Sequence, residues 1–196
     1  MKLNTPNKLT IARILITPIY LALILWETLP HRFLIATLVY SIAAITDAID
    51  GKLARKNNQI TNFGKLLDPI ADKILTTSAL LAFMQMGLCN IWIVMIVLTR
   101  EFTVASIRMI AAADGVVIPA NIWGKLKTVS QMTFTIVIML LGEVYTLLAT
   151  YNPVWYEKMP SLALISNILL WITAVLTVVS GVIYVLDSKK VIDYTK

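Results

Sequence analysis

The chain has 196 residues, of which 58% are hydrophobic and only 14% charged, with a mean hydropathy of +0.79. Soluble domains run to about 45–50% apolar and about 25% charged, so this composition excludes an ordinary water-soluble protein and points to an integral membrane protein. The formal net charge is +6, but the basic residues sit between apolar segments and form no basic domain. That pattern favours anionic membrane lipid as a partner and argues against nucleic acid.

In chain order, the sequence reads as all-α. Residues 1–8 are expected to form a short interfacial segment with Pro6 as its break. Six apolar stretches follow, at 9–26, 33–50, 65–86, 91–113, 126–150 and 162–186. Each is long enough for a spanning helix, which needs roughly 17–25 mostly apolar residues. Of the five tryptophans, Trp26, Trp92, Trp123, Trp155 and Trp171, most fall near segment ends, where aromatic anchors meet the membrane surface. The first apolar run has no small-residue cleavage site after it, so it is expected to be retained. No repeat interrupts the pattern, and 1–196 reads as one polytopic domain. The lone cysteine, Cys89, excludes an intrachain disulfide and is expected in the short outer loop between the third and fourth spans, open to a maleimide if that loop is accessible.

The connections alternate in charge. Lys2, Lys8 and Arg13 mark the start, and Lys52, Arg55, Lys56 and Lys65 the second connection. Lys125 and Lys127 mark the fourth, and Lys189, Lys190 and Lys196 the end, whereas the other connections carry only Arg32 and Lys158. The positive-inside rule then places both termini in the cytoplasm. The stretch between Asp47 and Asp72 falls on the same side.

That stretch contains the chain's most specific signal, D-A-I-D-G-K-L-A-R at 47–55 and G-K-L-L-D-P-I-A-D at 64–72. Asp47 and Asp50 are three apart and Asp68 and Asp72 four apart, so each pair occupies one face of a helix. Both pairs lie at the edges of apolar segments, where an ionised carboxylate needs a partner. Brought together, four carboxylates would repel one another unless cations held them. A pair of hard divalent ions on oxygen ligands, Mg²⁺ or Mn²⁺, meets that need. For any one acid, a role in capping or ending a helix is the plain alternative, and Gly51 alone reads as a helix C-cap.

The spacing resembles the signature of the CDP-alcohol phosphatidyltransferases, D-x-x-D-G-x-x-A-R, eight residues, then G-x-x-x-D-x-x-x-D. Asp47, Asp50, Gly51, Ala54, Arg55, Gly64, Asp68 and Asp72 match every fixed position. The resemblance implies a six-helix membrane enzyme that moves a phosphatidyl group from CDP-diacylglycerol to an alcohol and releases CMP. It further implies that Asp47, Asp50, Asp68 and Asp72 hold two metal ions, with Asp72 also the general base. Gly51, Ala54, Arg55 and Gly64 would bind the CDP-lipid. A homodimer, formed through the third and fourth spans, is implied as well.

A second segment narrows the acceptor. Arg100, Glu101 and Arg108 interrupt an apolar helix, and Glu101 and Arg108, seven apart, share a face. Charges at such depth are functional candidates, although Glu101 could simply pair with a nearby arginine. With Lys125 and Lys127, Arg108 would make a cationic pocket suited to an acceptor carrying a phosphate, with Arg100 a fourth candidate. R-E-F at 100–102, G-K-L-K-T at 124–128 and the opening P-N-K-L-T-I-A-R are similar to the branch of the family that uses sn-glycerol 3-phosphate. By that likeness Asn7 and Thr10 join the CDP-lipid-binding set. The implied reaction gives phosphatidylglycerophosphate and CMP, with the site facing the cytoplasm of a bacterial cell membrane. Inositol phosphate, serine or phosphatidylglycerol as acceptor are the alternatives within the family, and a small cation transporter is the alternative outside it. His31 reads as a solvated loop residue, and Glu143 has no evident partner in the sequence.

Overall fold

A computed structural model describes the backbone of residues 5–56, 62–113 and 121–189; the side chains of 5–8, 47–56, 62–66, 68, 69 and 113 lie outside the described residues. All regular structure among the described residues is helical. The helices are α1 (Thr5–Leu25), α2 (Arg32–Lys56), α3 (Asn62–Gln85), α4 (Ile91–Ala113), α5 (Ile122–Tyr151), the short α6 (Pro153–Lys158) and α7 (Leu162–Ser188). Two of them, α5 and α7, are long and apolar enough to cross a membrane; the apolar stretches Leu9–Leu25 and Arg32–Thr46 are shorter.

Local chemistry sets the helix ends. Asn121 caps α5, its side chain accepting from the Gly124 N–H at 2.8 Å, and Ser161 caps α7 by accepting from Leu164 N–H at 3.2 Å. Pro153 opens α6, where its missing N–H costs nothing. At the end of α3, Gly87 takes φ +73° and Leu88 N–H closes back on the Phe83 carbonyl at 2.8 Å, the bond of a Schellman turn.

Several boundaries differ from the sequence expectation. Pro6 does not break an interfacial segment: α1 is continuous from Thr5, and Pro6 sits in its first turn, where proline is tolerated. α2 runs on to Lys56, so Gly51 is inside a helix and is not its cap. The charged run after Asp50 has the composition of a loop, and Asp50-Gly51 is a turn signal, but the helix passes through both to Lys56. α5 starts at Ile122 and takes Lys125 and Lys127 into its first turns.

α1 packs on α2 and α3, α5 packs on α7 and α2, and α4 packs chiefly on α7. The interior is unusually polar. The buried face of α7 reads Ser166, Leu170, Thr173, Ala174, Thr177, Ser180, Tyr184 and Ser188, while Ile168, Ile172, Val175, Val178 and Val182 point outward. A soluble helix would reverse that pattern; small and hydroxylated residues inside with aliphatics outside is how helices associate in lipid. The Ser and Thr hydroxyls mostly bond carbonyls of their own helix, as Thr177 does with Thr173 at 2.7 Å, so their burial leaves little unsatisfied. The inward face of α1 follows the same logic with Thr10, Arg13, Thr17, Tyr20 and Ile24, all at most 2% exposed.

One end of the bundle is tied by a pair the sequence did not reveal. His31, at φ +55°, is hydrogen-bonded through Nδ1 to the Glu143 carboxylate, which also accepts from the Leu34 N–H at 3.3 Å. His31 is therefore not merely solvated, and Glu143, 7% exposed, has a partner. The carboxylate from α5 satisfies one of the open N–H groups at the start of α2. Glu143→Ala is expected to destabilise the protein by about 1–3 kcal/mol, because it strands that N–H. A thermal melt in detergent should show it as a fall of roughly 2–4 °C per kcal/mol, with Glu143→Gln losing less. At the same end, Cys89 is 6% exposed, and burial pushes its thiol up to about 12. The condition for labelling Cys89 is therefore not met: at neutral pH it should alkylate far more slowly than an exposed cysteine.

Candidate active site

The four motif aspartates all fall on helices. Asp47 and Asp50 lie in the last turns of α2, followed by Ala54 and Arg55, while Gly64, Asp68 and Asp72 lie along the first half of α3. The side chains of Asp47, Asp50, Gly51, Ala54, Arg55, Gly64, Asp68 and Asn7 are outside the described residues. For this reason no cluster of three acidic, histidine or cysteine side chains occurs among the described ones. The donor set itself suits hard cations: four carboxylates, on two helices that touch each other and both pack on α1. Thr10 is 1% exposed, facing into the bundle one turn from Arg13.

Asp72 is described and half-buried. It lines a cavity of about 670 Å³ together with Arg100, Arg108, Lys125 and Lys127. Three helices, α3, α4 and α5, thus bring the expected base and all four expected acceptor cations to one space. Lys73, Glu101, Asn121, Gln131 and Tyr184 also line it.

The cations are not equivalent. Lys127 is 3% exposed and donates to Glu101 Oε1 at 2.7 Å; Arg100 donates through one terminal nitrogen to the same oxygen at 3.0 Å and through the other to Ser180 Oγ at 2.8 Å. A Cβ at Gly181 would lie 3.0 Å from Arg100 Cγ, so the glycine leaves the room through which the arginine passes along α7. Arg108 stands outside this ion pair. Its Nε donates to the Tyr184 hydroxyl at 3.2 Å, and its guanidinium lies 5.4 Å from the centre of that ring. Arg108 and Lys125 are exposed to the cavity side and carry the charge that Glu101 does not offset.

Sequence reasoning missed Lys73, Ser180 and Tyr184. Lys73 Nζ donates to the Glu101 carbonyl at 3.2 Å and lies 5.9 Å from the Phe102 ring centre, joining α3 to α4 beside Asp72. It follows Asp72, the last fixed residue of the motif, so spacing gave it no weight. Ser180 and Tyr184 are uncharged members of an apolar segment, and hydropathy cannot distinguish them from packing residues.

Comparison with known proteins follows the same line. The sequence profile of the family described as CDP-alcohol phosphatidyltransferase matches residues 3–179. Similar curated proteins include the CDP-diacylglycerol–glycerol-3-phosphate 3-phosphatidyltransferase of Bacillus subtilis, 37% identical over 91% of this chain and 91% of its own. Proteins of the same name from Rickettsia bellii (36% identical, 95% and 96% covered) and Haemophilus influenzae (34%, 96% and 95%) match almost end to end.

Proposed function

The chain belongs to the CDP-alcohol phosphatidyltransferase family, and we propose that it transfers a phosphatidyl group from CDP-diacylglycerol to sn-glycerol 3-phosphate. The products are phosphatidylglycerophosphate and CMP. The names of its relatives support this reaction. The observation that carries the acceptor choice is the cationic wall of the cavity that Asp72 lines. The CDP-lipid brings one anionic group, which metals held by the aspartates, together with Arg55, would neutralise. A separate set of cations calls for a second anion, and an acceptor phosphate supplies it.

In the reaction, the acceptor hydroxyl oxygen bonds to the phosphatidyl phosphorus. The bond from that phosphorus to the CMP oxygen breaks, and CMP leaves with the electron pair. Asp72 takes the hydroxyl proton. Two divalent cations, Mg²⁺ or Mn²⁺, on Asp47, Asp50, Asp68 and Asp72 would supply charge neutralisation at the pyrophosphate. Gly51, Ala54, Gly64, Asn7 and Thr10 complete the CDP-lipid side of the site. Arg108 and Lys125 hold the acceptor phosphate, and Lys127 and Arg100 form the pocket's inner wall. The test is a panel of acceptors offered to the purified protein with CDP-diacylglycerol and Mg²⁺. CMP release should be fastest with glycerol 3-phosphate; a preference for serine, inositol phosphate or phosphatidylglycerol would replace the acceptor.

The protein is read as one integral membrane domain, with α1 to α5 and α7 as six spans. Both termini and the site face the cytoplasm of a bacterial cell membrane, and the chain forms a homodimer through the third and fourth spans. The charge asymmetry of the connections supports the orientation. Exposed positions at opposite ends of the bundle test it. A membrane-impermeant maleimide should label Glu157→Cys in intact cells and Ala112→Cys only after permeabilisation; the reverse pattern would invert the orientation.

A further inference from the structure

We infer that Glu101 is a positioning residue for the acceptor pocket: its carboxylate fixes Lys127 and Arg100, the cations of the cavity's inner wall. The inference rests on the reading of this cavity as the acceptor site. A carboxylate in an anion pocket is at first sight a defect, since it repels the ligand. Its contacts give the reason for it. Glu101 Oε1 accepts from Lys127 Nζ at 2.7 Å and from Arg100 at 3.0 Å, and its main-chain carbonyl accepts from Lys73 Nζ at 3.2 Å. Arg100 passes the connection on to Ser180 at 2.8 Å. One residue of α4 therefore joins α3, α5 and α7 at the cavity.

Two features make this junction more than a surface ion pair. Lys127 is 3% exposed, and a buried ammonium without an anion is costly, so its position depends on Glu101. α3 and α4, although consecutive in the chain, pack on other partners and touch each other sparsely. The Lys73 bond to the Glu101 main-chain carbonyl also joins these two helices and would persist in any Glu101 variant, so substitution there probes the carboxylate alone. Without the carboxylate, Arg100 and Lys127 face each other as like charges and must move apart. The acceptor phosphate would then meet a wider, less ordered wall, while the CDP-lipid side is left alone.

The test is kinetic, in purified protein with CDP-diacylglycerol, Mg²⁺ and glycerol 3-phosphate. Glu101→Gln is expected to raise the KM for glycerol 3-phosphate by about tenfold or more, as loss of a charge-assisted contact implies, with the KM for CDP-diacylglycerol changed less than about twofold. Glu101→Asp should recover part of the loss. Because Glu101 acts through Lys127, combining Glu101→Gln with Lys127→Met should cost little more than Lys127→Met alone. A fall in the acceptor KM would overturn the inference, since it would make Glu101 a simple electrostatic opponent of the phosphate. So would a loss confined to the amount of active enzyme with both KM values unchanged, or full additivity with Lys127→Met. Failure of the underlying reading looks different: wild-type protein would then release no CMP with glycerol 3-phosphate at all.

Discussion

Asp72→Asn is expected to lower turnover by about 10²–10⁴-fold, the usual worth of a positioned general base. The substitution keeps the shape of the side chain and one ligand oxygen. It removes only the capacity to take a proton. CDP-diacylglycerol binding should survive, so the loss should appear in kcat and leave the lipid KM within a few-fold. Asp72 lies in α3 and lines the cavity shared with Arg100, Arg108, Lys125 and Lys127, the juxtaposition on which the expected loss rests. Asp47→Ala, Asp50→Ala or Asp68→Ala should abolish turnover in protein that still folds, because each would remove a proposed hard oxygen ligand. Excess chelator should do so reversibly. Near-normal turnover of Asp72→Asn would remove it as the base, and full activity in chelator would remove the metals.

Arg108→Ala should raise the KM for glycerol 3-phosphate far more than the KM for CDP-diacylglycerol. A charge-assisted hydrogen bond to phosphate is worth about 1.5–3 kcal/mol, or roughly 10–150-fold. Arg108 is the sharper choice among the cations because it lies outside the Glu101 ion pair and its Nε is held by Tyr184 at 3.2 Å. Tyr184→Phe should therefore give a smaller loss of the same kind. Lys127→Ala is a poorer probe, since it also leaves Glu101 with one cation fewer inside the bundle. Free glycerol should be a poor acceptor for the intact enzyme, since it leaves the Arg108 and Lys125 cations without an anion. Steady-state kinetics with each substrate varied in turn decides the point; equal losses for both substrates would refute the pocket.

The readable parts of this protein were those in which short-range spacing does the work. Helical geometry alone puts Asp47 beside Asp50 and Asp68 beside Asp72, and apolar run length gave the main helices to within a few residues. What stayed hidden depends on partners distant in sequence. His31 meets Glu143, 112 residues away, and no local pattern announces it. The pairing of Glu101 with Lys127 joins the middle of α4 to the start of α5; the sequence marked both as charged but could not say which cation the carboxylate would take. α7 shows a third limit. Its mean hydropathy identifies a spanning helix, yet the Ser and Thr stripe that faces inward, and with it Ser180 and Tyr184 at the site, is averaged away. The end of α2 was misplaced because Lys52, Arg55 and Lys56 have loop composition while their backbone stays helical.

The central claim is that an intact phosphorylated acceptor becomes joined to the lipid as CMP leaves. Glycerol 3-phosphate labelled with ³²P, incubated with the purified protein, CDP-diacylglycerol and Mg²⁺, measures that directly. The account predicts label in an organic-extractable lipid, in equal amount to the CMP released. CMP release with all of the label left in the aqueous phase would contradict it.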